Sequence, residues 1–165
     1  MRNVVLAIFS LLVAACTSID CPVNNMVAIN YQLQKSDGST DTLLVDTLWV
    51  RTPTPQSDKK DSLILNRLCG ATATKFSLPV SHTLPEDVIC MTVKDTIGTT
   101  WLDTIWVQKN NYDHFESVDC QASYFHTITG VRFTHRLIDT LIINNTEVNY
   151  DPSTTHLLLR LKARR

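Results

Sequence analysis

Cysteine is the residue type with the most chemistry to offer in this chain. Five cysteines occur, at positions 16, 21, 69, 90 and 120. Zinc ribbons and thiol redox centres use pairs of cysteines separated by two residues, so that both sulfurs reach one metal or each other. No such pair is present, since the last four cysteines follow one another at intervals of 48, 21 and 30 residues. The spacing leaves covalent modification and disulfide bonds as uses for these thiols.

The first cysteine closes a segment typical of an export signal. Arg2 gives a positive start, and residues 4–15 are apolar except for Ser10. The run is too short for a permanent membrane span. It ends in Val13-Ala14-Ala15-Cys16, which resembles the lipobox of bacterial lipoproteins. We expect residues 1–15 to be a signal peptide and Cys16 to become the acylated N-terminus. The alternative is an ordinary signal peptide with a chance cysteine.

Acylation of Cys16 would hold the protein on a membrane, because bacterial lipoproteins carry three acyl chains and each buried methylene contributes about 0.8 kcal/mol. Thr17 stands where an Asp would signal retention in the inner membrane. The segment just after Cys16 contains one acidic residue, Asp20, and no run of acidic residues that would direct the protein to the cell surface. We predict an outer-membrane anchor facing the periplasm, with residues 16–22 as lipidated N-terminus and tether. Exposure at the cell surface is the alternative.

The other four cysteines form an even set, which predicts two disulfides in an exported chain. Three pairings are possible. We favour Cys21–Cys120 with Cys69–Cys90, because the first bridge would tie the tether to the domain. The alternative is free thiols buried in the core.

Histidines and carboxylates offer little to a catalyst. The histidines are His82, His114, His126, His135 and His156, and none has the spacing of a helical zinc-protease site. Three of them (114, 126 and 135) could meet. Glu116 and Asp119 could pair as the two acids of a glycosidase-like site, and together with Asp113 they could bind calcium. Glu116 and Asp119 would point to opposite sides of a strand, and no calcium-loop spacing occurs. We expect no enzyme, no metal site and no cofactor.

Composition sets the broad class. Of 165 residues, 44% are hydrophobic and 19% charged, which is enough for the core of one domain. Lys and Arg number 15 against 16 Asp and Glu, a formal net charge of -1. This balance excludes a basic nucleic-acid binder.

Asp followed by Ser or Thr and an apolar residue occurs six times, more often than composition predicts. The pattern resembles the O-glycosylation signal of exported Bacteroidetes proteins. We expect modification at one or two sites near loops, Thr42 and Ser62. The alternative is that Thr and Leu are simply good strand residues.

Beyond residue 22 the sequence predicts strands, because apolar and polar residues alternate and Thr, Val, Ile and Leu dominate. Nine strands are predicted, with a bend or bulge at Gly130: 27–33, 43–51, 62–68, 75–80, 88–94, 100–108, 124–135, 137–144 and 155–162. So many short strands predict an antiparallel β-sandwich, immunoglobulin-like or related, over residues 23–165. In this context Trp49, Trp101 and Trp106 are interpreted as core residues.

Four segments carry a family resemblance: residues 112–120, 124–128, 138–141 and 148–153. Together with the lipobox and Cys21-Pro22 they resemble a family of Bacteroidetes lipoproteins known only as a domain of unknown function. The resemblance implies that Cys21 and Cys120 are the family's pair and that Cys69 and Cys90 are additional. It transfers no activity or catalytic residue, and it suggests an outer-membrane barrel protein as partner. We therefore expect a protein-binding accessory module of the cell envelope, with a surface module that binds glycan through exposed aromatics as the alternative.

Overall fold

The computed structural model describes Cys21 and residues 26–54 and 61–162. This part of the chain forms ten strands: β1 (Ala28–Leu33), β2 (Leu44–Thr52), β3 (Ser62–Gly70), β4 (Lys75–Pro79), β5 (Glu86–Lys94), β6 (Thr100–His114), β7 (Ser123–Phe133), β8 (Ile138–Ile143), β9 (Glu147–Val148) and β10 (Leu157–Leu161). Among these residues no helix has the length and hydropathy to cross a membrane.

The nine predicted strands are all present, and the structure differs from the prediction in two places. β6 continues to His114, because the polar residues that follow Gln108 pair one by one with β7. The short β9 was not predicted, since its two residues form a strand only by pairing with His126 and Thr127 of β7. Both differences arise from pairing between distant parts of the sequence.

The strands form two sheets that pack as a β-sandwich, which confirms the predicted fold class. One sheet has four strands in the order β4-β1-β10-β8, and the other has six in the order β3-β2-β5-β6-β7-β9. All pairs are antiparallel except β1 with β10, which run parallel with Tyr31 opposite Leu157. The predicted antiparallel arrangement therefore holds for every pair of strands except this one, which joins the first and the last strand.

The core lies between the sheets and consists of the inward-facing half of each strand. Along β5 and β6 alternate side chains are buried, because neighbouring residues of a strand point to opposite faces. The inward positions of these two strands include Ile89, Met91, Val93, Ile105 and Val107. From the opposite sheet, Tyr31 stacks on Phe76 with ring centroids 4.9 Å apart.

The hairpin of β6 and β7 gives the sandwich its length. β6 has 15 residues, which at about 3.3 Å per residue span roughly 45–50 Å. The predicted irregularity at Gly130 is confirmed, because Gln108 lies opposite Gly130 while Lys109 lies opposite Ile128, which leaves Thr129 as an extra residue. Because β6 runs the length of the sandwich, the β5–β6 turn at 95–99 and the loop at 115–122 lie at opposite ends. In the turn, Gly98 takes the positive φ of 96° that glycine adopts easily.

Candidate functional site

One disulfide fixes the start of the described chain to the β6–β7 loop. Cys21 bonds to Cys120, with Cα atoms 5.4 Å apart and a separation of 99 positions in sequence. This is the pair that the family resemblance implied. We call this end of the sandwich the stapled end. Cys16, the predicted acylation site, lies outside the described residues, as do the predicted signal peptide, residues 1–15, and the rest of the predicted tether except Cys21.

The second predicted disulfide is not formed. Cys69 and Cys90 are free thiols. Cys69 lies on β3 and Cys90 on β5, and β2 runs between those strands. Strands twice removed are about 9.5 Å apart, whereas a disulfide needs Cα atoms within about 7 Å. The Cys69–Cys90 prediction was therefore wrong, because it took no account of sheet order.

A groove opens at one edge of the sandwich, where the end of β2 and the start of β3 face the β4–β5 connection. Its volume is about 560 Å³. The walls are mainly apolar, and the lining includes Ile64, Pro79, Val80, Leu84, Val88 and Ile89. A concave, mostly apolar site of this size with a few polar groups is typical of ligand pockets.

Asp87 lines the groove and forms an ion pair with a lysine buried in the interior. Its carboxylate lies 3.4 Å from the Nζ of Lys109, whose side chain is fully buried. Lys109 also donates a hydrogen bond to the carbonyl of Leu84, and the backbone N–H of Ser81 donates to Asp87 over 3.3 Å. Burial raises the pKa of Asp87 and lowers the pKa of Lys109, because loss of water disfavours the charged form of each group. The attraction between the two charges acts in the other direction and reduces both shifts.

Two further polar groups are buried around this pair. The hydroxyl of Tyr31 has no hydrogen-bond partner within the part of the chain that the structure describes. Burial, with the negative charge of Asp87 adding to it, raises the pKa of this hydroxyl. His126 contacts the Oδ1 of Asn111 through Nδ1 over 2.8 Å. Burial, with the positive charge of Lys109 adding to it, lowers the pKa of His126 to about 4.

The other side chains considered for catalysis do not converge. His114 stacks on Phe125 and contacts Glu116 over 3.1 Å, whereas His126 faces the interior and His135 follows the far end of β7. Among the described residues no group of His, Cys, Asp or Glu could hold a metal ion. The three-histidine arrangement is thus not formed, and the carboxylate of Glu116 contacts His114.

The tryptophans of β2 and β6 are placed differently from the prediction. Trp49 and Trp106 are half-buried on the outer face of the six-stranded sheet, because their neighbours Leu48 and Ile105 take the inward positions. The interpretation of these two as core residues was wrong. Trp101 does pack against the core. The guanidinium of Arg132 lies 4.2 Å from the centre of the Trp106 ring.

The two hydroxyls predicted as glycosylation sites lie near the surface. Ser62 is exposed at the start of β3, with its Oγ 3.2 Å from Oγ1 of Thr54. Thr42 is half-buried in the loop before β2, and its Oγ1 accepts a hydrogen bond from the N–H of Leu44 over 3.2 Å. Ser62 is therefore the more accessible of the two, and modification of either stays a prediction.

Comparison with known proteins gives one result. A model of a family of unknown function (DUF6452) matches residues 47–160, which is most of the chain. The chain belongs to this family. No curated protein and no solved structure matches it. The match to DUF6452 confirms the resemblance to an uncharacterised family and carries neither an activity nor a location.

The DUF6452 match divides the candidate groups. Asp87, Lys109, His126 and Cys120 lie inside the matched residues, whereas Cys21 and Tyr31 lie before them. Sequence reasoning missed the Asp87–Lys109 pair. The available signal was the alternation along β6, which places Lys109 on the same face as Ile105 and Val107.

Proposed function

We propose that this protein is an outer-membrane lipoprotein, anchored through Cys16 and facing the periplasm, that binds another protein of the cell envelope. The export signal and lipobox support the anchor. The disulfide supports it too, because a short acylated stem bonded to a rigid sandwich holds the domain close to the membrane. The proposal assigns the protein no catalytic role, and it needs no metal or cofactor.

The outer face of the six-stranded sheet is the observation that carries the binding role. Trp49 and Trp106 are half-buried there. Leu102 is 55% exposed in the same cross-strand row as Trp49, with Thr92 of β5 between them, and lies four residues before Trp106 on β6. An outer sheet face in water is usually polar. Tryptophan and arginine are enriched in protein interfaces. We call the surface of Trp49, Leu102, Trp106 and Arg132 the tryptophan face.

A barrel protein of the outer membrane is the partner we propose for the tryptophan face. Its test is affinity capture from native outer membranes after crosslinking, followed by mass spectrometry. The variant is Trp49→Ala with Trp106→Ala. The matched control is Ile142→Ala with Leu158→Ala, which removes outward apolar side chains that face each other on the four-stranded sheet.

We expect the unmodified chain and the control variant to recover a barrel and the tryptophan variant to lose it. Equal recovery by all three would contradict the role of the tryptophan face. The anchor is tested separately by metabolic palmitate labelling of the chain and of Cys16→Ser, and only the unmodified chain should be labelled.

Glycan binding is the second candidate, and the half-exposed ring of Trp49 supports it. Aromatic rings at a protein surface can stack on the apolar faces of sugars, as in the alternative that the sequence raised. A glycan array probed with the chain and with Trp49→Ala distinguishes the two functions. Loss of a defined glycan signal in the variant would favour the glycan, whereas an empty array with barrel capture would favour the protein partner.

A further inference from the structure

The loop at the stapled end exposes two large apolar side chains. Val118 is 98% exposed and Phe115 is 62% exposed. The loop is held in place, because the N–H of Cys120 donates to the carbonyl of Ser117 over 3.2 Å and Cys120 is bonded to Cys21. We call Phe115 and Val118 the apolar tip. An ordered loop that presents such side chains to water calls for a partner that covers them.

The number of residues between Cys16 and Cys21 limits the distance between the apolar tip and the membrane. Five residue steps separate Cys16 from Cys21, and a fully extended chain covers at most about 3.3–3.6 Å per residue. Cys21 is bonded to Cys120, two residues beyond Val118. An acylated Cys16 would therefore hold Cys21 within about 18 Å of the lipid and the apolar tip, one disulfide and two residues farther, within about 30 Å.

We propose that the apolar tip contacts the lipid bilayer that holds Cys16, with Phe115 and Val118 entering the interface between headgroups and acyl chains. The proposal rests on acylation of Cys16 and adds to the proposed function a second, non-covalent membrane contact. Apolar side chains on a peripheral protein bind at this depth by burying their surface. The contact orients the sandwich with its long axis away from the membrane.

The charges around the apolar tip select the kind of lipid. Three acidic residues are exposed beside it: Asp113, Glu116 and Asp119. The basic side chain of His114 contacts Glu116. Carboxylates at the level of the headgroups repel anionic lipid and tolerate the cationic groups of zwitterionic lipid. We therefore assign the tip to a zwitterionic surface.

The opposite end of the sandwich supplies a matched control. Ile97 is 81% exposed in the β5–β6 turn, roughly 45–50 Å from the apolar tip along β6. The experiment places tryptophan at each end, as Phe115→Trp and Ile97→Trp, in the full acylated chain bound to phosphatidylcholine vesicles. Brominated acyl chains in the vesicles quench indole emission on contact, and the parent chain gives the background of its own tryptophans.

We expect brominated lipid to remove the emission added by Phe115→Trp and to leave the emission added by Ile97→Trp. Adding Val118→Asp to Phe115→Trp should restore its emission, and a rising fraction of phosphatidylglycerol should do the same. Equal quenching at both ends, or none at either end, in a chain that floats with the vesicles overturns the tip contact and leaves the anchor intact.

Two other outcomes would overturn the proposal. A chain that fails to float with the vesicles overturns the anchor as well as the tip contact. Shielding of Phe115→Trp from an aqueous quencher in native membranes but not in pure lipid assigns the apolar tip to a protein partner. Both substituted residues are exposed, so thermal unfolding of each variant should match that of the parent chain.

Discussion

Two carboxylates face the interior of this sandwich from adjacent strands and have opposite surroundings. Asp103 accepts hydrogen bonds from the hydroxyl of Thr134 and from three successive backbone N–H groups, those of Arg136, Leu137 and Ile138. Asp87 has Lys109 and one longer backbone bond from Ser81. Burial acts on both, yet the pKa of Asp103 is lowered by its donors while the pKa of Asp87 is raised.

The comparison distinguishes a carboxylate whose oxygens are surrounded by hydrogen-bond donors from one that has few donors. Asp103 closes the β7–β8 turn with every contact made inside the fold. Asp87 lies at the groove, beside the buried ammonium group of Lys109 and the hydroxyl of Tyr31, which has no partner among the described residues. We call Asp87, Lys109, Tyr31 and His126 the groove end. The polar groups of the groove end therefore depend on one ion pair and a few hydrogen bonds, whereas Asp103 is surrounded by donors.

Asp103→Ala should have the largest effect on stability. It leaves two buried N–H groups, one partly buried N–H group and a hydroxyl without this acceptor, at a total cost of about 3–5 kcal/mol in the free energy of unfolding. Urea denaturation measures the loss. The control is Asp139→Ala, because Asp139 begins another Asp-Thr pair but is exposed. A loss below about 1 kcal/mol for Asp103→Ala would contradict the structural role.

Lys109→Met should cost somewhat less, about 2–4 kcal/mol near neutral pH, because it leaves Asp87 charged and mostly buried. The double variant Lys109→Met with Asp87→Asn should recover most of that loss, since it removes both charges. Protonation also neutralises Asp87. The deficit of the single variant should therefore shrink as the pH falls through the raised pKa of Asp87. A deficit independent of pH would mean that lost packing, not charge, is responsible.

The sequence predicted the strands well and the contacts between them poorly. Alternation along a strand is local, so β5 and β8 were found close to their true bounds. The donors around Asp103 lie more than 30 residues away, and no local pattern indicates them. Cys69 and Cys90 were paired without knowledge of the strand between them. Trp49 was assigned to the core because it alternates in phase with Val45, but Val45 is itself 66% exposed. Face and neighbour are decided by the sheet order.

The pH dependence of stability gives the third test of the comparison. An unfolded chain protonates His126 near pH 6.5, whereas the folded chain does so only at about 4. The unfolded state therefore binds more protons in this window, and stability falls as the pH drops through it. His156 shifts in the same direction. Asp103, with its lowered pKa, contributes fully above the ordinary pKa of a carboxyl group and loses this contribution as the pH falls from that value through its lowered pKa.

His126→Gln should flatten this acid slope, because Gln cannot take up the proton. We expect the change in stability between pH 6.5 and 4 to become smaller by about 3 kcal/mol, with the contribution of His156 remaining. Urea unfolding at a series of pH values measures it. An unchanged slope would show that His126 titrates alike in the folded and unfolded chains, and would remove it from the groups that distinguish the groove end.

Tyr31→Phe should have the smallest effect, and its sign is the informative part. The hydroxyl is buried and lacks a partner in the described chain, so removing it relieves a desolvation cost and should raise the free energy of unfolding by about 0.5–1 kcal/mol. Stacking on Phe76 is kept, because phenylalanine retains the ring. Thermal unfolding measures the gain, and a loss of stability would mean that water satisfies the hydroxyl in solution. In that case the polar groups of the groove end would be as fully hydrogen-bonded as those around Asp103. The two carboxylates would then differ only in the charge of their surroundings.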